Sequence, residues 1–180
     1  MSAVTTPLNL KAWINEHREL LKPPVGNKVV WTDRDFIVMI VGGPNARKDY
    51  HINQTEELFY QVEGDITVRI IENGNPRDIP IREGEIFLLP PGIPHSPQRP
   101  AGTVGMVVER QRPTGMKDHL RFYCDKCGKV VHEPEFDMKD IAAQLKQIME
   151  SYWSDANTAL RTCKACGTVM QRPTPAVAAR

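Results

Sequence analysis

Between residues 28 and about 110 the chain is cut into short β-prone runs by turn residues, and this punctuation constrains the fold more than any other feature. Val29–Trp31, Phe36–Val41, Leu58–Val62, Ile66–Ile71, Asp78–Ile81, Glu85–Leu89 and Gly105–Glu109 are rich in β-branched and aromatic residues. Between them lie Gly42-Gly43-Pro44-Asn45, Glu63-Gly64-Asp65, Asn73-Gly74-Asn75, Glu83-Gly84 and Pro90-Pro91-Gly92. Many short strands with such breaks predict an antiparallel sandwich or barrel, not a parallel α/β sheet, and a closed barrel of this size can hold one small ligand.

The flanks read differently. Asn9 can cap a helix over residues 9–22, with Leu10, Trp13, Ile14, His17 and Leu21 on one stripe and Pro23-Pro24 as its stop. His17 on that stripe reads as a packed core histidine. After Arg112-Pro113-Thr114-Gly115 the character shifts, which divides the chain into residues 1–112 and an extension, 113–180. Within the extension, Asp137 to about Trp153 reads as an amphipathic helix with Asp137 and Asp140 in its first turn. Its apolar face carries Ile141, Leu145, Ile148, Met149 and Tyr152. The tail from Gln171 is rich in Pro and Ala and reads as frayed.

A net charge of +1 from interleaved acids and bases argues against nucleic acid and anionic membranes as partners. The N-terminal residues carry no cationic-then-apolar pattern and no run suits a membrane span, so a cytoplasmic protein is expected, with its four cysteines as thiols or thiolates.

Two segments carry the chemistry: Gly43-…-His51-x-Asn53-…-Glu57-…-Gly64 and Gly84-x5-Pro90-x-Gly92-x2-His95. They resemble the paired signature motifs of the cupin superfamily, a small antiparallel β-barrel or jelly roll, with Asn53 where the first motif usually has a second histidine. The resemblance implies His51, Glu57 and His95 as metal ligands. On a straight strand His51 and Glu57 would lie roughly 20 Å apart, too far for bonds of about 2 Å to one ion, so the chain must fold back between them. The polar run Ile52-Asn53-Gln54-Thr55 suits that return, and the proline-rich turn before His95 could aim its imidazole inward. Two imidazoles and one carboxylate suit non-haem Fe(II) and leave coordination positions open for a chelating substrate and O₂.

Longer runs sharpen the resemblance. Leu21-Lys22-Pro23-Pro24-Val25-Gly26-Asn27, Val41-Gly42-Gly43-Pro44-Asn45, Phe87-Leu88-Leu89-Pro90-Pro91, His95-Ser96-Pro97-Gln98-Arg99-Pro100 and Glu109-Arg110-Gln111-Arg112-Pro113 resemble the 3-hydroxyanthranilate 3,4-dioxygenases in their bacterial form. The resemblance runs from about residue 8 to the second cysteine pair. It implies opening of the 3-hydroxyanthranilate ring by O₂ to 2-amino-3-carboxymuconate 6-semialdehyde, which cyclises to quinolinate, in NAD synthesis or aromatic degradation. It also implies Arg99 at the site mouth as the partner of the substrate carboxylate. Glu109 follows as the substrate-contacting glutamate, Arg47 as the arginine near bound O₂, and Asn27 and Pro97 as pocket-lining residues. Taken alone, Arg47 would read as a loop charge and Glu109 as a partner of Arg110 or Arg112. Neither arginine is assigned between structure and site.

Cys124-Asp-Lys-Cys127-Gly and Cys163-Lys-Ala-Cys166-Gly are paired knuckles whose four thiolates suit tetrahedral Zn or a single rubredoxin-like Fe. A structural role is expected, holding the C-terminal helix and supporting a homodimer. Two other functions stay open on the residues: a different cupin enzyme, such as a metal isomerase or another aromatic dioxygenase, and a non-catalytic cupin binding module.

Overall fold

A computed structural model describes residues 4–23, 26–32, 34–139 and 141–173. Pro24, Val25, Asp140, the side chain of Ile141 and the tail from residue 174 lie outside the described residues.

Helix α1 (Leu10–His17) starts where Asn9 accepts the N–H of Ala12 at 2.9 Å. It tightens into a 3₁₀ turn over Arg18–Leu21, so the expected helix is regular only in its first two turns. His17 is half-buried: its ring stacks on Trp13 at 4.2 Å, and Nδ1 donates to the Trp13 carbonyl. Ile14 and Leu21 pack on Ile40 and Val104 of the sheet beneath. The chain leaves the helix so close to that sheet that a Cβ on Gly42 would lie 2.1 Å from the Leu21 carbonyl oxygen, a space only glycine leaves.

The strands among the described residues are β1 (Asn27–Val29), β2 (Phe36–Gly42), β3 (Asp49–Ile52), β4 (Glu57–Glu63), β5 (Ile66–Glu72), β6 (Asn75–Ile81), β7 (Ile86–Leu89), β8 (His95–Gln98), β9 (Val104–Arg110), β10 (Asp118–Tyr123), β11 (Val130–His132) and β12 (Glu135–Phe136). They form two antiparallel sheets, ordered β1-β2-β9-β4-β7 and β11-β10-β3-β8-β5-β6, with β12 also on β10. The expected mainly β architecture is therefore what the chain adopts. Alternation along each strand turns Met39, Phe59, Leu89 and Val107 of the first sheet toward Val68, Ile70 and Ile81 of the second, one shared core. All of these side chains are buried, each worth about 1.5–3 kcal/mol.

Strands β3, β8, β10, β11 and β12 are additions to the seven read from sequence; several of those seven extend a residue or more beyond the expected ends, whereas the first, expected at Val29–Trp31, lies at Asn27–Val29. Helix α2 (Ile141–Trp153) begins four residues after Asp137, because the Gln144 side chain turns back to bond the Lys139 N–H (2.7 Å) and the Asp137 carbonyl (2.8 Å). Its Tyr152 and Trp153 pack on Leu120 and Phe122 of β10, with Cys124, Cys163 and Met170 in the same cluster. Met138 and Leu145 reach the barrel core itself.

Candidate active site and metal centres

Strands from both sheets converge on one buried cluster. β3 and β8 pair with His51 directly opposite His95, while β4 begins with Glu57 on the facing sheet. His51, Glu57 and His95 are 4%, 6% and 1% exposed, and one donor atom from each lies within 4.8 Å of the others. His95 Nδ1 donates to the Ile93 carbonyl at 3.0 Å, which leaves Nε2 as a lone-pair donor 3.1 Å from Glu57 Oε2. That carboxylate oxygen is buried and makes no hydrogen bond. His51 Nε2 donates to Asp118 Oδ2 at 2.7 Å, so its other ring nitrogen remains for an ion.

The electrostatics suit a cation. Burial pushes the Glu57 carboxyl up, but positive charge on the neighbouring His95 and His51, when they are protonated, overcomes it and holds it well below the usual carboxylate range, a charge that a bound ion would supply beside neutral imidazoles. Burial lowers His51 toward the neutral imidazole that ligates metals. A buried, orphaned carboxylate oxygen beside two imidazoles fits a metal ion, and these three residues could hold one.

Asn53 does not join the three. Buried between them in sequence, it donates Nδ2 to Glu109 Oε2 at 2.8 Å and accepts the Thr55 N–H at 2.7 Å. Glu109 lies on β9 opposite Glu57. Its Oε2 also accepts from Arg112 Nη2 at 2.7 Å, whereas Oε1 is buried without a partner. Burial, then the Glu57 charge, push the Glu109 carboxyl up to about 7, the range of a working acid–base group.

Arg99 was expected at the mouth of the site; it is instead 4% exposed, just beyond β8. Asn45 locks its backbone, accepting the Arg99 N–H at 2.8 Å and donating its own N–H to the Arg99 carbonyl at 3.0 Å. The guanidinium reaches Gln61 Oε1 at 3.4 Å, and among the described residues no carboxylate pairs with it. Burial and then the charge of Arg47 lower its pKa to about 10. Gly105 makes the room: a Cβ there would stand 2.7 Å from Gln61 Oε1 and 2.9 Å from Arg99 Nη1. A buried cation without an anion is poised to bind one.

Arg47 is not a free loop charge. It binds Asp49 through Nε, at 3.1 and 3.2 Å to the two oxygens, and through Nη2. Its field reaches Arg99 and His95. Pro97 is buried on β8, one pleat beyond His95. Asn27, on β1 opposite Val41, is half-buried and makes none of the hydrogen bonds of the cluster.

Sequence reading missed Asp118 and left Arg112 unassigned. The signal for Asp118 was present: Leu120 and Phe122 alternate with His119, Arg121 and Tyr123, which puts Asp118 on the buried face of β10. Arg112 carried no such periodicity, since it lies in the link beyond β9.

The cysteines form a second cluster, their sulfurs all within 4.8 Å of one another. Cys124–Cys166 and Cys127–Cys163 are each 3.6 Å apart, far beyond a disulfide and close to the roughly 3.8 Å edge of a tetrahedron with 2.3 Å metal–sulfur bonds. The two knuckles repeat one another. Gly128 N–H bonds the Cys124 carbonyl as Gly167 N–H bonds that of Cys163, and Cys124 N–H bonds Lys129 as Cys163 N–H bonds Thr168. Both glycines have positive φ, 69° and 72°.

Residues 1–153 match a family model described as 3-hydroxyanthranilic acid dioxygenase. A 3-hydroxyanthranilate 3,4-dioxygenase of Neurospora crassa is 51% identical over 166 residues, covering 92% of this chain and 91% of its own. One from Xanthomonas euvesicatoria is 48% identical and one from Jannaschia sp. 51%, over 93% and 89% of both chains in each pair. Among solved structures, a cupin-2 domain containing protein from Shewanella frigidimarina aligns with 54% of this chain and 91% of its own, at 20% identity and a TM-score of 0.45. By the family match and by identity of about half along nearly all of its length, the chain belongs to the 3-hydroxyanthranilic acid dioxygenase family.

Proposed function

We infer that the chain opens the ring of 3-hydroxyanthranilate with O₂, giving 2-amino-3-carboxymuconate 6-semialdehyde, the precursor of quinolinate. The observation that carries this is the buried His51, Glu57 and His95 cluster in one barrel with the unpaired guanidinium of Arg99. His51, Glu57 and His95 would hold Fe(II), which when bound would supply a chelation site for the substrate hydroxyl and amine and activate O₂. Arg99 takes the substrate carboxylate through its planar fork and so orients the ring. Glu109 Oε1 accepts from the hydroxyl or amine and takes up the proton that the hydroxyl loses. The Asp49 pair uses Arg47 Nε and Nη2, which leaves Nη1 to stabilise negative charge developing on oxygen. Pro97 and Asn27 shape the pocket, and Glu57 borders the substrate as well as the metal.

The cysteine cluster holds a second ion, iron or zinc, with a structural role. Residues 1–112 carry the ligands of the first centre and 113–180 the thiolates of the second, although β10 of the extension is built into the barrel sheet. A homodimer is supported by an apolar row across the outer face of the first sheet, Val38–Val108–Leu58–Leu88 in direct register. Leu88 and Ile86 of β7 are 52% and 70% exposed, and Phe36, two residues before Val38 on β2, is 56% exposed. A cytoplasmic enzyme is consistent with thiolate knuckles.

The test is O₂ uptake on adding 3-hydroxyanthranilate to the Fe(II)-reconstituted protein, with the semialdehyde followed by its transient absorbance. One O₂ consumed per substrate is expected, and none with His51→Ala. Substrate binding without O₂ uptake in the reconstituted wild type would overturn the reading.

A further inference from the structure

We propose that Arg112 is a positioning residue for ring cleavage: one buried guanidinium sets the substrate-facing carboxylate of Glu109 and, through Asp118, the imidazole of His51. The inference rests on the reading of Glu109 as substrate-facing.

The geometry is that of a hub. The Arg112 side chain is 2% exposed. Nε donates to Asp118 Oδ1 at 2.7 Å and Nη2 to Asp118 Oδ2 at 2.6 Å, a two-pronged grip. Nη2 also donates to Glu109 Oε2 at 2.7 Å, and Nη1 to the Arg110 carbonyl at 2.5 Å. Asp118 Oδ2 then accepts from His51 at 2.7 Å. On the far side, Glu109 Oε2 takes its second donor from Asn53, which lies on the segment between His51 and Glu57. The chain of contacts His51–Asp118–Arg112–Glu109–Asn53 is thus closed by the backbone from Asn53 to His51.

Two consequences follow from where the donors fall. Both bonds to Glu109 land on the same oxygen, so the carboxylate plane is fixed while Oε1 stays open and buried. Asp118 is held by both prongs of the fork, so it cannot swing away from His51. Only a planar guanidinium spans two carboxylates in this way; an ammonium keeps the charge but loses the fork.

Arg112→Lys, Glu109→Gln and the double variant decide the matter in the iron-loaded enzyme, with Co(II) titration of the metal-free proteins as a readout independent of turnover. Arg112→Lys should lower kcat/KM about tenfold or more, chiefly in kcat, and by a clearly smaller factor in the Glu109→Gln background, where only the route through Asp118 is left to Arg112. Asp118→Asn should weaken Co(II) binding about tenfold or more, and Arg112→Lys should weaken it measurably. An equal loss in both backgrounds, or kcat/KM within about twofold of wild type, overturns the proposal. Should Arg112→Lys not fold, Asp118→Asn keeps the guanidinium and the volume; unchanged Co(II) affinity and kcat there would overturn it equally. Failure of the wild type to consume O₂ would instead sink the proposed reaction, and the Co(II) titrations would still decide the metal side of the network.

Discussion

At the scale of single residues, the proposed role of Arg99 is the most exposed to test, since in that reading a buried cation lacking a carboxylate gains its full partner only from substrate. Charge-assisted hydrogen bonds of this kind are worth about 2–3 kcal/mol, so Arg99→Met should raise KM for 3-hydroxyanthranilate roughly 30- to 150-fold in steady-state kinetics. The carboxylate-free analogue 2-aminophenol should lose little. In the proposed mechanism Glu109 sets the pH behaviour. Burial and the Glu57 charge raise its pKa to about 7, and as a proton acceptor it works only when ionised. Activity is therefore present above that pKa and lost as pH falls through it; a bound cation draws the pKa lower, so the acid limb of kcat/KM should fall at or below about 7. Glu109→Gln should lower kcat and remove that limb.

At the scale of elements, the site depends on the strands least visible in the sequence. β3 and β8 are four residues each, one rich in polar groups and the other interrupted by Pro97, yet they present His51 and His95. Their residues suit ligation better than β propensity, so the usual apolar alternation is lost at the candidate site. The long strands β2, β4, β5 and β9 were legible because their inward faces are hydrophobic and their ends are marked by turn residues. The three metal-binding candidates could be read from motif spacing. For Asp118 the alternation along β10 gives burial but not its partner, and the hub role of Arg112 has no such signal, since both roles arise from contacts that spacing does not encode. Gly105 belongs with them: within strand β9 it reads as a weakness, but it clears the space for Arg99. Gly105→Ala should keep the barrel folded by circular dichroism and raise KM about tenfold by displacing the Arg99 guanidinium.

At the scale of the whole molecule, the cysteine cluster and the barrel share a core through β10, α2 and Met170. Cys127→Ser should remove the second ion proposed for the cysteine cluster, seen as loss of one metal per chain by elemental analysis. It should lower Tm by about 5 °C or more while leaving kcat within about twofold. Leu88→Lys, placed in the exposed row of the first sheet, should shift the sedimenting species from the proposed homodimer toward monomer without changing metal content. The 3.6 Å approach of Cys127 and Cys163 has a further consequence in polymer terms, because those residues stand 36 positions apart. An ion between them turns the intervening segment, α2 included, into a closed ring, and removes from the unfolded ensemble conformations worth about 4 kcal/mol by the chain-entropy relation for such a cross-link. The helix can then open locally without its two ends ever diffusing apart, so reclosure is a short-range search.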